Sequence, residues 1–392
     1  MSGSIGLGHV TRDLAIAQQL RKHNPEVELL WLAAHPATIP LKESGEKLLA
    51  EAEVYGDVNV SAEKAARGFG MNILKYGRKV TRQFSRNVKV LKQIIRKEYF
   101  DLVIGDETYE LTVALAIKYI SLQAPFVMIY DFLGMDSVTW NPYEKLQVSV
   151  SNRIWTWMDR RLFSGQKNLA LFAGELEDVP DKRLGFFMPN RREHAKKYYK
   201  FTGHVLPFDP ADYNDKTRMK EKLGYGKELL VLCSIGGTAV GKNLLELCGR
   251  AYPIIKQKVP DLCMVLVCGP RLSVDSVQVP DGVEVKGYVP ALYEHFAASD
   301  LVIVQGGGTA TLELTALRRP FLYFPLANHC EQQIHVAERL AGHKAGIKMV
   351  YSQTTPEILA EKVIANLGKN VDYLSIPMQG AQKAAQLILD LL

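Results

Sequence analysis

Cysteine is scarce in this chain: Cys233, Cys248, Cys263, Cys268 and Cys330, five in 392 residues, all in the second half. Three of them (Cys233, Cys263, Cys268) sit in apolar strand-like runs, which fits free buried thiols in a reducing compartment and not a disulfide framework. The one close spacing, Cys263-x4-Cys268, has no second pair, so it does not read as a metal site. No apolar run approaches the roughly 18 residues of a membrane-spanning helix. No charged stretch followed by an apolar core opens the chain as in a signal peptide. A soluble, cytoplasmic protein is expected. A Gly-x4-Gly-Lys-Ser/Thr loop is also lacking, which excludes a P-loop NTPase.

What is present is a long, apolar chain, 47% hydrophobic over 392 residues, which predicts two cores. Its 18 prolines and 30 glycines are near average usage, so collagen-like and low-complexity architectures are excluded. Short apolar runs alternate with amphipathic segments of helix length. The runs are 27–34, 101–106, 126–131 and 168–174 in the first half. In the second they are 228–237, 262–269, 283–289, 300–306, 320–326 and 346–351. Continuous apolar strands separated by helices predict parallel sheets covered on both faces. The pattern pauses between Phe201 and Gly226, which contains Pro207, Pro210 and a Gly-Tyr-Gly turn. The expected fold class is α/β: two doubly wound, Rossmann-like domains at 1–207 and 227–392, facing across a cleft. A linker is expected at 208–226, with the last helix free to pack back on the first domain.

Charge is unevenly placed. Residues 1–207 carry 29 Lys and Arg against 23 Asp and Glu, whereas the remainder carries 19 of each. Between Lys64 and Lys97 there are eleven basic residues and no acid. There Val80, Phe84, Val88, Leu91 and Ile95 share one helix face, and Arg78, Arg82, Arg86, Lys89, Lys92 and Arg96 the opposite one. Either this is a surface helix with solvated cations, or a patch that attracts a phosphorylated ligand or an anionic membrane surface. Nucleic acid is not expected, because neither interleaved aromatics nor a binding motif accompanies the charge.

Three glycine-rich segments sit between a strand position and a helix. They are Gly3-Ser4-Ile5-Gly6-Leu7-Gly8-His9, Ser234-Ile235-Gly236-Gly237-Thr238 and Gln305-Gly306-Gly307-Gly308-Thr309. Glycine lets backbone N–H groups approach a ligand, and a following helix N-terminus adds partial positive charge. Three such segments in one chain point to a diphosphate ligand. A dinucleotide-dependent dehydrogenase fits poorly: the spacing is Gly3-x-x-Gly6-x-Gly8, and the strand at 27–34 ends without the ribose-binding acid.

With these residues the chain resembles the GT-B glycosyltransferases. Its pattern is close to the bacterial peptidoglycan N-acetylglucosaminyltransferase group and to the UDP-sugar glycosyltransferases acting on small acceptors. The most specific stretch is Val285–Leu340. It contains Gly287-Tyr288-Val289-Pro290, Gly306-Gly307-Gly308-Thr309-Ala310-Thr311-Leu312-Glu313, Pro320–Pro325 and His329-Cys330-Glu331-Gln332-Gln333. The loop ending in His9 matches the family's N-terminal loop. The resemblance implies that Glu313 accepts hydrogen bonds from the donor ribose and that Tyr288 and Val289 frame the uracil. It implies that Gly236, Gly237, Thr238, Gly307, Gly308 and Thr309 hold the diphosphate, with Gly6 and Gly8 in the N-terminal loop, and that Glu331 and Gln332 read sugar hydroxyls. Two departures stand out. Small-acceptor relatives often carry a phosphate-contacting His where this chain has Gln305. Only Met1 and Ser2 precede the first glycine loop, so either the start is truncated relative to its relatives or the sheet lacks a central strand.

The implied activity is inverting, metal-independent transfer of a hexosyl or N-acetylhexosaminyl group from a UDP-sugar to a hydroxyl acceptor. His9 is the candidate base and Asp106 its orienting acid, with Glu107 and Glu110 near enough to substitute. No Asp-x-Asp is present and His329, Glu331 and His335 lack ligand spacing, so neither a metal nor a cofactor is expected, the UDP-sugar being a co-substrate. The basic stretch suggests a phosphorylated or lipid-linked acceptor and a peripheral position at the inner face of the membrane. No pair of acids suggests a glycosidase. A UDP-sugar 2-epimerase of the same fold would turn over without acceptor; a non-catalytic nucleotide-sugar-binding subunit would not turn over at all.

Overall fold

The computed structural model describes residues 1–3, 7–57, 73–237 and 240–392, with the side chains of 73–81 outside that description. Gly6, Thr238 and the expected basic positions before residue 82 therefore lie outside the described residues. The chain divides into two compact units, Met1–Pro207 with Pro377–Leu392, and Phe208–Ile376.

The first unit opens with α1 (Gly8–His23), β1 (Leu30–Trp31), α2 (Thr38–Glu43) and β2 (Lys47–Leu48), then α3 (Ile73–Lys97), β3 (Val103–Asp106) and α4 (Tyr109–Ala116). It continues through β4 (Phe126–Tyr130), α5 (Pro142–Phe163), β5 (Leu169–Phe172), α6 (Arg191–Tyr198) and β6 (Tyr199–Phe201). β1 and β2 pair in parallel, and β3-β4-β5-β6 form a parallel sheet in that order. Residues 1–3 form no strand. Even so, the Met1 amino group donates to the Ile104 carbonyl (2.7 Å), Asp106 N to the Met1 carbonyl (3.1 Å), and Ser2 N to the Leu32 carbonyl (3.3 Å). Two residues thus lie between β1 and β3.

β4 shows why the sheet must be covered twice. Phe126, Met128 and Tyr130 pack with Leu91, Ile94, Leu111 and Trp155 from α3, α4 and α5. Val127 and Ile129 pack on the other face with Ile16 and Leu20 of α1. Each such side chain removed from water contributes about 1.5–3 kcal/mol. On α3, Leu91 and Ile94 are buried and Val88 and Ile95 pack against the core, while Arg82, Arg86, Lys89 and Arg96 are exposed. A second stripe is unusual: Tyr143, Leu146, Val150, Ile154 and Trp157, at helical spacing on α5, are all exposed.

The second unit runs through α7 (Lys216–Lys222), β7 (Leu229–Ser234), α8 (Lys242–Lys258), β8 (Leu262–Val267), β9 (Val283–Lys286), α9 (Leu292–Ala298) and β10 (Leu301–Gln305). Then come α10 (Gly308–Ala316), β11 (Phe321–Phe324), α11 (Ala337–Gly342), β12 (Ile347–Lys348) and α12 (Pro356–Asn366). Its six parallel strands are ordered β12-β11-β10-β7-β8-β9, the doubly wound order in which the chain reverses direction between β7 and β10. β10 is buried along its whole length, as a strand between two helical layers requires.

One boundary differs from expectation. Residues 208–226 are not a free connection: Asp215 caps α7, and Lys216 and Lys220 both bond Asp300. A buried carboxylate needing counter-charges draws this charged stretch into the second unit. The last helix, α13 (Gly380–Leu389), does pack back on the first unit, where Ala384, Ala385 and Ile388 lie beside Ile16 and Leu20 of α1.

The docking of α13 is tight at its first residue. A Cβ on Gly380 would stand 2.2 Å from the His204 carbonyl oxygen. Gly380→Ala is expected to cost about 1–3 kcal/mol through overpacking, read as a lower urea midpoint.

Candidate active site

In the second unit, the site grows from the reversal between β7 and β10. The loops leaving these strands diverge, and a ligand crevice forms at such a switch point. Gly236, after β7, has φ +70° and its N–H donates to Ser234 Oγ (3.2 Å). Gly269, after β8, has φ +73°, and a Cβ there would lie 2.1 Å from the Gly236 carbonyl oxygen; only glycine fits. Both helices leading away begin on glycine. Gly241 precedes α8 and Gly307 precedes α10, and neither N-terminus has a side-chain cap. Uncapped helix starts present N–H donors and partial positive charge to an anion.

Gln305, at the position where the resemblance leads one to expect a phosphate-contacting His, is engaged elsewhere. Its buried amide donates to the Val240 carbonyl, joining the end of β10 to the loop after β7. Sequence reading also missed Arg339, whose Nη2 donates to the Gly308 carbonyl (2.6 Å) and places a cation at the first turn of α10.

Glu313 lies on α10 and is buried, with no side-chain hydrogen bond among the described residues. Burial alone pushes its carboxyl up to about 8. Tyr288 and Val289 follow β9, and Val289 packs partly buried against the sheet. Gln332 is buried in a π-helical turn, Glu331–Val336, and its Oε1 accepts from Leu326 N (2.9 Å). Its neighbour Gln333 donates to the carbonyls of Pro325 (3.2 Å) and Leu326 (3.1 Å). Gln332 thus spends its acceptor on the loop after β11 and leaves its NH2 outside that bond. Glu331 stands 3.9 Å from His329 Nδ1 and is part-exposed. Gly237, Gly308 and Thr309 lie in the two loops or at the start of α10.

In the first unit, Gly8 and His9 open α1, so the His9 ring projects from the helix start. Gly3 passes closely overhead: a Cβ there would lie 3.0 Å from the Asp106 carbonyl oxygen and 3.4 Å from His9 Cγ. Asp106 ends β3, is completely buried, and its Oδ1 lies 3.0 Å from His9 Nδ1. Glu107 comes next, its Oε2 3.8 Å from His9 Nε2. Glu110 instead bonds Tyr55 OH and Asn87 Nδ2, so it does not substitute for Asp106.

Three further residues complete this cluster and were invisible in the sequence reading. Arg12 donates through Nε to Asp106 Oδ2 (3.0 Å), through Nη2 to Asp106 Oδ1 (2.7 Å), and through Nη1 to Asp131 Oδ2 (3.0 Å). Asp131 directly follows β4, and Asp13 is buried beside Asp106. The spacing His9 to Arg12, three residues on a helix, was the available signal. Burial favours the neutral form of each group, but Arg12 and then His9 hold Asp106 well below the usual carboxylate range. Asp131 is lowered against burial by the same two cations. Burial and the Asp106 charge drive Asp13 far up, so it stays protonated. For His9, burial pulls down, but Asp106 and its hydrogen bond, with Asp131 behind, outweigh burial and Arg12 and raise the ring to about 8. At neutral pH the free protein therefore carries mostly imidazolium there, with a neutral fraction growing toward pH 8.

Comparison with known proteins agrees with this architecture. Residues 231–391 match the glycosyltransferase family 28 C-terminal domain. An uncharacterised glycosyltransferase of Methanopyrus kandleri is 23% identical over 368 residues, covering 92% of this chain and 97% of that one. The chain is a GT-B glycosyltransferase. The UDP-N-acetylglucosamine–N-acetylmuramyl-(pentapeptide) pyrophosphoryl-undecaprenol N-acetylglucosamine transferase of Acetivibrio thermocellus is 22% identical over 420 residues, spanning 100% and 97% of the two chains. In fold, this glycosyltransferase is similar to the crystal structure of the kitacinnamycin glycotransferase, with a TM-score of 0.58 at 15% identity over 98% of this chain and 92% of that one.

The His9–Asp106 pair has a measurable signature. Because the ring is raised from 6.5 to about 8, its ion pair contributes stability that is complete below about pH 6.5 and lost as pH rises through about 8. Nuclear magnetic resonance should place the His9 inflection there, and Asp106→Asn should move it downward; an inflection unmoved by that change would separate the two residues.

Proposed function

We propose that this glycosyltransferase moves a sugar from a UDP-sugar to a hydroxyl acceptor, with inversion at the anomeric carbon and without a metal ion. The observation that carries this reading is Glu313: a buried carboxyl, without a side-chain partner among the described residues, on the helix that leaves the β7–β10 reversal. A ribose offers two adjacent hydroxyl donors, and an ionised carboxylate accepts both. The glycine-started helices α8 and α10 suit the diphosphate, with Arg339 adding charge at the same turn. Tyr288 and Val289 are assigned to the uracil, and the Gln332 amide and Glu331 to sugar hydroxyls.

In the reaction, the acceptor hydroxyl gives its proton to His9 Nε2, and its oxygen attacks the anomeric carbon as the bond to the diphosphate breaks. The base-competent ring carries its proton on Nδ1, donated to Asp106. Charge developing on the departing UDP is stabilised by main-chain N–H groups and helix dipoles. Since the ring sits at about 8, turnover should rise from pH 6 to 8 as the imidazole loses its proton.

The acceptor is assigned as lipid-linked. One full-length relative is named for transfer onto a pyrophosphoryl-undecaprenol substrate, and the first unit carries a surface suited to an anionic bilayer. The exposed α5 stripe is flanked by Trp140, 91% exposed, and by Phe187, 85% exposed, beside Phe186. The 184–187 loop lies against α5, where Asn152 Nδ2 donates to the Leu184 carbonyl (2.6 Å). Lys145 covers the Trp140 ring at 4.7 Å and Arg161 the Trp157 ring at 5.5 Å. Exposed aromatics rimmed by cations suit the bilayer interface, and the basic face of α3 adds to the charge.

Four measurements test these assignments. UDP should raise the melting temperature without added divalent cation; a strict Mn2+ or Mg2+ requirement would overturn the metal-free reading. Glu313→Ala should weaken UDP binding by about 1–3 kcal/mol. Binding to wild type should release protons at pH 7, because ribose hydroxyls favour the ionised Glu313 carboxylate, and its affinity should climb toward pH 8. Finally, Trp157→Ser combined with Phe187→Ser should reduce sedimentation with anionic vesicles while sparing UDP affinity; equal loss of both would assign those rings to stability.

A further inference from the structure

Arg12 is buried three residues after His9 on α1, and its guanidinium is engaged on every side. Nε and Nη2 fork onto Asp106, Nη1 reaches Asp131 at 3.0 Å, and Nη2 lies 2.8 Å from His9 Nδ1. The charged groups around the imidazole come from three elements and the chain start, with the buried Tyr109 of α4 close to Glu107, Asp131 and Asp106. α1 supplies Arg12 and Asp13, the end of β3 supplies Asp106 and Glu107, the end of β4 supplies Asp131, and the Met1 amino group lies near Asp13 and Asp106.

Charge balance in this cluster has one fixed point. Asp13 is protonated, Glu107 is hydrogen-bonded to Asp131, and Asp106 and Asp131 are ionised. Arg12 never loses its proton. If it were removed, the imidazole would face two buried carboxylates and would hold a second proton tightly, since uncompensated buried charge is costly. The Nη2–Nδ1 contact acts in the same sense: guanidinium and imidazolium carry like charges, so at 2.8 Å Arg12 opposes the second proton on the ring.

We propose that Arg12 is a positioning residue that sets the protonation of His9: it serves as counter-ion to Asp106 and Asp131, leaving the imidazole able to lose its proton near neutral pH. This deepens the assignment of His9 as base and rests on it for its functional meaning. The effect on the ring stands independently of any activity.

The test follows the His9 ring by nuclear magnetic resonance titration of the full chain. Arg12→Gln should raise the inflection by about one pH unit or more, a tenfold or greater loss of neutral imidazole at pH 7. Asp131→Asn should lower it. Arg12→Gln with Asp131→Asn removes one charge of each sign and should return the inflection close to wild type. If circular dichroism shows that Arg12→Gln alone does not fold, the comparison of Asp131→Asn with the double variant isolates the same effect, the double variant being higher by about one unit. An unchanged or lowered inflection on loss of Arg12, in either background, overturns the proposal. Where transfer is measured, the acidic limb of kcat/KM should move with the ring; a fall in rate equal at every pH assigns Arg12 to stability alone. A ring that shifts while the limb stays fixed supports Arg12 as the determinant of His9 protonation and rejects His9 as the base.

Discussion

A parallel sheet buried on both faces has one place for polar chemistry, the loops where its strands end. Along β4 or β10 every side chain is committed to a helical layer, and an unpaired polar group there would cost several kcal/mol. At the carboxyl ends the backbone turns toward helix starts, and charge can be stabilised. The polar groups described for this glycosyltransferase gather at or beside such ends: Asp106 closes β3, Asp131 follows β4, Gly236 follows β7 and Gln305 closes β10, with His9 and Arg12 on α1 and Glu313 on the helix after β10.

The two units solve this constraint with different materials. In the first, side chains carry the charge, and four groups (His9, Arg12, Asp106, Asp131) compensate each other within hydrogen-bond reach. In the second, main chain predominates: glycine loops, two uncapped helix starts and a latch from Gln305 to Val240. A backbone site holds an anion without a counter-ion that must be displaced. A side-chain cluster holds a proton whose affinity can be tuned by the balance around it.

Much of this was legible along the chain. Ten apolar runs were read as strands, and each contains one, because double burial leaves a continuous apolar signature. β2 and β6 left none: Lys47–Leu48 is two residues long, and Tyr199–Phe201 follows a helix without a break. His9 and Asp106 could be named as partners only through the resemblance, which matches them to a base and its orienting acid; their places at a helix start and a strand end are what the sequence itself showed. Residues 208–226 misled because proline, glycine and charge signal a linker equally well when Lys216 and Lys220 are drawn onto a buried acid 80 or more positions away.

Local pattern thus determined the α/β class, the strand positions and the glycine loops, since periodicity and backbone permissiveness are properties of neighbouring residues. It also marked Glu313 and His9 as polar groups at helix positions near those loops. Only the folded chain decided that Asp106 and not Glu110 pairs with His9, that Arg12 joins them, that Gln305 is spent on Val240, and that α13 packs with α1. Those outcomes depend on electrostatic compensation and close packing between residues far apart in sequence. Such terms act over a few ångströms in space and leave no period behind.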